Sequence, residues 1–242
     1  MGILTATDLE FIEMREEEGG VHSFVFTPLT QFPRVAGQHG LLTLPGGGTK
    51  PFSLASAPED AEVLIGTRLQ SNSAYKQALA ALTPGQRVSL RGPVLNFTLR
   101  RAPRQVVFLA QGVGITPFRS MLRHIAAAQL DHQTALIHVG EGHAYRTDTE
   151  ASATTAIYPT DSEEFRMAVK EAVSDQRGAR YYLSGSGRFV TETSAVLTEL
   201  GVTRLQIKKA KFFGYRQSVG LNASSRGATP DTPIDLKTST RR

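Results

Sequence analysis

The sequence predicts two folding units in succession: a small antiparallel β-barrel or sandwich, then an α/β unit built on a doubly wound parallel sheet. Three observations carry this. Residues 1–100 contain short β-branched and aromatic runs separated by Gly and Pro, the spacing of an antiparallel barrel or sandwich. After Pro103, nearly continuous apolar runs alternate with helical patterns, as strands buried on both faces do in a parallel sheet. A chain of 242 residues with 40% hydrophobic and 20% charged content is large enough for two units with real cores.

In chain order, Val21 to Thr27 is a β-branched and aromatic run ended by Pro28. Leu41 to Leu44 is closed by Pro45 and the glycines Gly46, Gly47 and Gly48. Val63 to Leu69, Arg87 to Arg91 and Asn96 to Leu99 follow as further strands. A helix interrupts them from Ser73 to Leu82, with apolar residues at helical spacing and Pro84-Gly85 as its stop. In the second unit Gln105 to Ala110 is a buried strand, Pro117 to Gln129 a helix and Thr134 to Val139 the next strand. Ser162 to Ser174 (helix), Arg180 to Leu183 (strand), Phe189 to Leu200 (helix, ended by Gly201) and Leu205 to Lys208 (strand) complete it. The polar stretch Arg100 to Arg104 marks the boundary. The units are therefore residues 1–102 and 103–215. Residues 216–242, rich in Ser, Thr, Gly, Pro and charge, form a tail expected to be disordered.

Composition removes several chemistries. Cysteine is absent, which excludes disulfides, thiolate catalysis and cysteine-ligated iron–sulfur clusters in this chain. The six histidines are not spaced as helical metal ligands, so no metal site is expected. The net charge is +5, but the tail holds Arg216, Arg226, Lys237, Arg241 and Arg242 against Asp231 and Asp235, which leaves the rest only weakly basic. Lys208, Lys209 and Lys211 form a basic cluster that reads as a solvated edge or a docking patch. No aromatic–basic motif supports nucleic-acid binding. No window is long and apolar enough for a membrane span, and the first residues lack a secretory pattern, so a cytoplasmic location is expected.

Two motifs carry chemistry. In Ala110-Gln111-Gly112-Val113-Gly114-Ile115-Thr116-Pro117, a buried strand runs into glycines that permit a tight turn and close approach of backbone to a ligand. Thr116 is placed to cap the following helix and Pro117 suits its first turn. Exposed amides at that end favour a pyrophosphate, at the carboxyl end of a parallel strand where such sheets bind ligands. A tight strand–helix turn explains the same residues. In Lys50-Pro51-Phe52-Ser53, a cation and a small hydroxyl flank an aromatic, which suits a phosphate and a flat ring; an ordinary strand with a charged start suits it equally.

Taken together, the order Lys50-Pro51-Phe52-Ser53, Gly85 with Arg91-Gly92-Pro93, Gly112 to Pro117, Leu183-Ser184-Gly185-Ser186 and Phe212-Phe213-Gly214-Tyr215 resembles the ferredoxin–NADP reductase family over roughly residues 8–215. The resemblance implies a Greek-key barrel that binds flavin, followed by a nicotinamide-nucleotide unit. It implies that Phe52 stacks on the isoalloxazine, Ser53 bonds near N5 and Lys50 faces the phosphates, with Phe52 and Lys50 standing where the family has Tyr and Arg. Ser73 and Lys76 resemble the family's second phosphate segment, and Ser73 reads equally as a helix cap alone. Gly112, Gly114, Thr116 and Pro117 match its nucleotide loop, and Ser184-Gly185 stands where many relatives have Cys-Gly, beside the nicotinamide. Tyr215 resembles the aromatic that covers the flavin. Glu141, after the second strand of the α/β unit, suits a free ribose hydroxyl and tilts the donor slightly towards NADH over NADPH; an ordinary loop carboxylate explains it equally. The activity implied is hydride transfer from NAD(P)H to FAD and then electron transfer to an acceptor, a separate protein such as ferredoxin or flavodoxin. The alternatives are a flavin or iron-chelate reductase with a small-molecule acceptor, or a nucleotide-binding regulatory module without turnover. Ser53 and Ser184 are the candidate catalytic residues.

Overall fold

A computed structural model describes residues 5–71, 73–94, 97–99, 104–175 and 178–212. Tyr215, the tail and most of the expected boundary lie outside these residues. The first half contains β1 (Thr5–Glu17), β2 (Val21–Pro28), β3 (His39–Leu44), β4 (Gly48–Ser53), β5 (Val63–Arg68), helix α1 (Ala74–Ala80) and β6 (Arg87–Gly92). These strands make one six-stranded sheet in the order β4-β3-β6-β1-β2-β5, with every pair antiparallel. Just beyond β4, the Ala55 amide donates to the Leu64 carbonyl at 2.8 Å, and the Leu64 amide donates to Ser56 Oγ at 3.0 Å. These bonds tie the end of β4 to β5, the opposite edge, and curl the sheet towards closure, which removes exposed edges.

β1 has no counterpart in the sequence reading. Its charged residues hide it: Leu9 and Phe11 point into the core while Asp8 and Glu13 are exposed, so the apolar signal is only every second residue. Conversely, the strand expected from Asn96 to Leu99 is corrected. Residues 97–99 take no strand, and Phe97 and Leu99 instead fill the core, Phe97 against Phe118 and Tyr182.

The second half contains β7 (Gln105–Gln111), α2 (Thr116–Ala127), β8 (Gln133–Val139), α3 (Arg146–Ser152), β9 (Thr155–Ile157), α4 (Ser162–Asp175), β10 (Arg180–Ser186), α5 (Gly187–Glu199) and β11 (Ile207–Phe212). Its five strands are all parallel, in the order β11-β10-β7-β8-β9. The alternation of β7 divides the core. Val106, Phe108 and Ala110 pack with Phe118, Met121 and Leu122 of α2. Val107 and Leu109 pack on the other face with Phe165 and Val169 of α4 and Val190 and Leu197 of α5. Helices cover both faces, the doubly wound arrangement. The last strand begins at Ile207, two residues later than expected, because Arg204–Gln206 form a 3₁₀ turn closed by a Thr203–Gln206 capping box. α3 and the short β9 are absent from the sequence reading, α3 being brief and polar and β9 only three residues long.

α2 lies between the two sheets. Its inner face meets β7, and its outer face bonds the first half: Arg119 to the Ala55 carbonyl at 2.8 Å, Ser120 Oγ to the Ser56 carbonyl at 2.7 Å, and Arg123 to Asp60 at 2.6 and 3.1 Å. No described helix is long and apolar enough to cross a membrane.

Candidate functional site

β7 is followed by β8 on one side and, through a later crossover, flanked by β10 on the other. The strand order reverses between β7 and β10, and ligands of open α/β sheets bind in the crevice at such a switch point. The residues at that crevice are Gln111, Gly112 and Gly114 after β7, and Ser184, Gly185 and Ser186 at the end of β10. Gln111 Oε1 accepts a 2.7 Å hydrogen bond from Ser186 Oγ, which in turn caps α5 by accepting from the Phe189 amide at 3.1 Å. Gln111 thereby clamps the two strand ends together.

Gly112–Ile115 form a 3₁₀ turn that runs without a break into α2, and Gly112 holds a φ of +51°. The capping role expected for Thr116 is therefore corrected. Ile115 stands at the N-cap, and Thr116 lies inside the first turn, its hydroxyl donating back to the Val113 carbonyl at 3.1 Å. A fused 3₁₀ turn removes the free helix end that a cap serves. Pro117 occupies the first turn as expected. Gly114 is required by packing: a methyl group there would collide with the Ser184 backbone. Gly185 likewise faces Phe189 and the Gln111 side chain, at 2.8 and 2.9 Å from where a methyl would sit. Ser184 is wholly buried and its Oγ has no hydrogen-bond partner among the described residues.

The loop is also held from beneath. His138 on β8, fully buried, approaches the Gly112 carbonyl with Nε2 at 2.9 Å. A carbonyl only accepts, so Nε2 carries the proton. Burial, reinforced by the neighbouring His143, pushes the His138 pKa down to about 3 and keeps the ring neutral. His143 stands edge-on to it at 5.1 Å between centroids, and the His143 amide reaches Glu18 in the turn between β1 and β2 at 3.3 Å. Sequence reasoning passed over both histidines. Glu141, in the same segment, is exposed.

The second motif ends β4. Lys50 and Pro51 are exposed, Phe52 is half-buried and Ser53 is buried. Phe52 stacks on Tyr75 of α1, with centroids 5.8 Å apart and planes 28° from parallel. Tyr75 is anchored by its hydroxyl on the Leu42 carbonyl at 3.0 Å. Lys76 Nζ sits 5.3 Å from the Phe52 centroid and bonds the Thr67 hydroxyl. Burial pushes the Lys76 pKa down to about 8, and no carboxylate pairs with it among the described residues. A half-buried ammonium lacking an anion, beside a half-open aromatic ring, fits a ligand with a flat ring and a phosphate. Lys50, by contrast, is a solvated cation. Ser73 caps α1 as expected, accepting from the Lys76 amide at 3.4 Å.

The two motifs meet. Ser53 Oγ and Thr116 Oγ1 lie 2.6 Å apart, although 63 positions separate them in the chain. On the Ser53 side, His39 pairs with Ser53 across β3 and β4, is stacked on Phe212 at the end of β11 and is held neutral, burial pushing its pKa down to about 4. Among the described residues no cluster of His, Asp and Glu is arranged to hold a metal ion.

A ferredoxin reductase from carbazole 1,9a-dioxygenase has the same architecture, with a TM-score of 0.74, 18% identity and coverage of 87% of this chain and 70% of that one. Ferredoxin-NADP+ reductase from Plasmodium falciparum matches with a TM-score of 0.70, 12% identity and coverage of 86% and 96%.

The chain has the ferredoxin reductase-like fold.

Curated proteins are also similar in sequence. The toluate 1,2-dioxygenase electron transfer component of Pseudomonas putida is 31% identical over 153 residues, 62% of this chain and 46% of the relative. Ferredoxin–NADP reductase B of Sorangium cellulosum is 37% identical over 120 residues, 47% of this chain and 49% of the relative. The matched segment is thus under half the length of each of these relatives. No family model matches the chain. One structural neighbour, from a nitric oxide dioxygenase of Vibrio cholerae, is named as a FAD/NAD binding domain, with a TM-score of 0.68, 19% identity and coverage of 85% of this chain and 98% of that one.

Proposed function

We propose that the chain is an NAD(P)H-dependent flavoprotein reductase, with the flavin held by the first half, residues 1–102, and the nicotinamide nucleotide by residues 103–215. The single observation that carries this reading is the 2.6 Å contact between Ser53 and Thr116 at the topological switch point. It brings an aromatic–cation site and a glycine loop within reach of one another, as direct hydride transfer between two bound rings requires.

FAD is the cofactor that the site suits. Phe52 supplies its stacking surface, Lys76 the buried countercharge, Ser53 the hydroxyl beside the ring, and Lys50, Pro51 and Ser73 the surrounding shell. Gly112, Gly114, Thr116 and Pro117 form the nucleotide loop, with Ser184 and Gly185 on the facing strand end and Glu141 near the ribose. Tyr215 lies outside the described residues. A bound flavin accepts a hydride from NADH or NADPH and releases electrons onward. The side chains orient and desolvate it, and none is needed as an acid or nucleophile. The relatives named as electron-transfer components and oxygenase reductases support a separate acceptor protein, and a small-molecule acceptor is the second reading.

Purified protein is expected to be yellow, or to become so with FAD, and to bleach anaerobically with NADH or NADPH. Colourless protein that FAD does not reconstitute would refute the proposal. Comparing initial bleaching rates with the two donors reads the role of Glu141.

A further inference from the structure

Thr116 Oγ1 has two neighbours, Ser53 Oγ at 2.6 Å and the Val113 carbonyl at 3.1 Å. Ser53 is 3% and Thr116 1% exposed, so bulk water does not compete for either hydroxyl. Each hydroxyl carries one proton. Two arrangements follow. In the first, Ser53 donates to Thr116 and Thr116 donates to Val113, leaving Ser53 only lone pairs for a ligand. In the second, Thr116 donates to Ser53, the Val113 carbonyl loses its partner, and the Ser53 proton is free for a ligand. The first holds two internal hydrogen bonds and the second one. The second is therefore populated when a ligand atom accepts from Ser53.

We propose that Ser53 and Thr116 form a two-state hydroxyl relay that senses the oxidation state of the flavin and raises its reduction potential, with Thr116 as a positioning residue for Ser53. This rests on the flavin reading above. The flavin N5 is an acceptor when oxidised and carries a proton when reduced. An oxidised ring draws the Ser53 proton and selects the second arrangement. A reduced ring needs an acceptor and selects the first, in which the whole internal chain is intact. The reduced state thus keeps one more hydrogen bond than the oxidised state. Val113 stands between Gly112 and Gly114, so its carbonyl is engaged in one oxidation state and released in the other. The same relay therefore reports the state of the flavin to the nucleotide loop.

The test is a reductive titration of the flavoprotein against a reference dye, for the parent protein, Thr116→Val, Thr116→Ser and Ser53→Ala. Thr116→Val keeps the shape and removes the hydroxyl, leaving the Ser53 proton unsatisfied when the ring is reduced. About a tenfold fall in the ratio of reduced to oxidised flavin is expected, a shift of about 30 mV to more negative potential for a two-electron couple. Thr116→Ser restores the parent value. Ser53→Ala also shifts the potential negative, whereas a serine that only donates to the oxidised ring would shift it positive on removal. An unchanged or more positive potential in Thr116→Val, or a positive shift in Ser53→Ala, overturns the relay. Should Thr116→Val fail to hold flavin, the sign of the Ser53→Ala shift decides. A parent protein that binds no flavin refutes the functional reading. One that binds and reduces flavin, with a Thr116→Val potential equal to the parent's, refutes the relay alone.

Discussion

Lys76 carries its charge into a half-buried site where its neighbours are a hydroxyl and an aromatic face, while Lys50 remains in water. A solvated cation contributes little to binding an anion, and a desolvated one contributes more. Lys76→Met is therefore expected to weaken FAD binding about tenfold, ~1.4 kcal/mol, and Lys50→Met much less, by titrating FAD into deflavinated protein. The reverse order would transfer the role to Lys50. Ser53→Ala is expected to slow flavin reduction in stopped flow more than it weakens flavin binding, and equal rates would refute a role for this hydroxyl at the ring. The residues of both motifs were legible because Gly, Pro, Lys and Ser punctuate the chain. That Ser53 bonds Thr116 was not legible. It depends on how α2 docks against the end of β4, which no local pattern encodes. The capping role read for Thr116 failed for a related reason, since a 3₁₀ turn and a capped helix start share the same residues.

Among the elements, β7 was readable to within one residue because it is apolar on both faces, and α1 because Ser73 and Pro84 bracket it. β1 escaped because its outward positions are charged, and α3 and β9 because seven- and three-residue elements show too little periodicity. The junction of β7, α2 and β10 is tightly specified. Gly114→Ala drives a methyl into the Ser184 backbone and is expected to cost about 1–3 kcal/mol, read as a lower melting temperature. Gly187→Ala, in open space at the start of α5, is expected to be neutral or slightly stabilising. Equal losses at the two positions would refute the packing account. On β8, His138→Leu removes the donor to the Gly112 carbonyl and is expected to raise KM for the nicotinamide nucleotide without lowering flavin content. His138→Gln, which keeps a donor, is expected to recover much of it. Similar KM values for Leu and Gln would show that only volume matters there.

Across the whole molecule, acid finds the buried imidazoles. His39 and His138 are held neutral by burial, with pKa values of about 4 and about 3, whereas in the unfolded chain they protonate near ~6.5. Between these values the unfolded state binds more protons, so stability is complete above about pH 6.5 and falls as the pH drops towards 4 and below. Melting temperatures at pH 7.5 and 5 are expected to differ, and His138→Gln to narrow the difference; a flat profile would contradict the burial of both rings. The two-unit architecture was legible because the pattern switches from alternating to continuous apolar strands. The way the units join was not, since it rests on Arg119, Ser120 and Arg123 meeting Ala55, Ser56 and Asp60, a long-range pairing that no local pattern encodes. That pairing has a practical corollary for recombining reductases. A second half borrowed from a relative brings its own α2, and with it three foreign residues opposite Ala55, Ser56 and Asp60. Chimaeras that exchange only residues 104 onwards inherit a mismatched seam, whereas those that also exchange residues 55–60 carry the lock with its key.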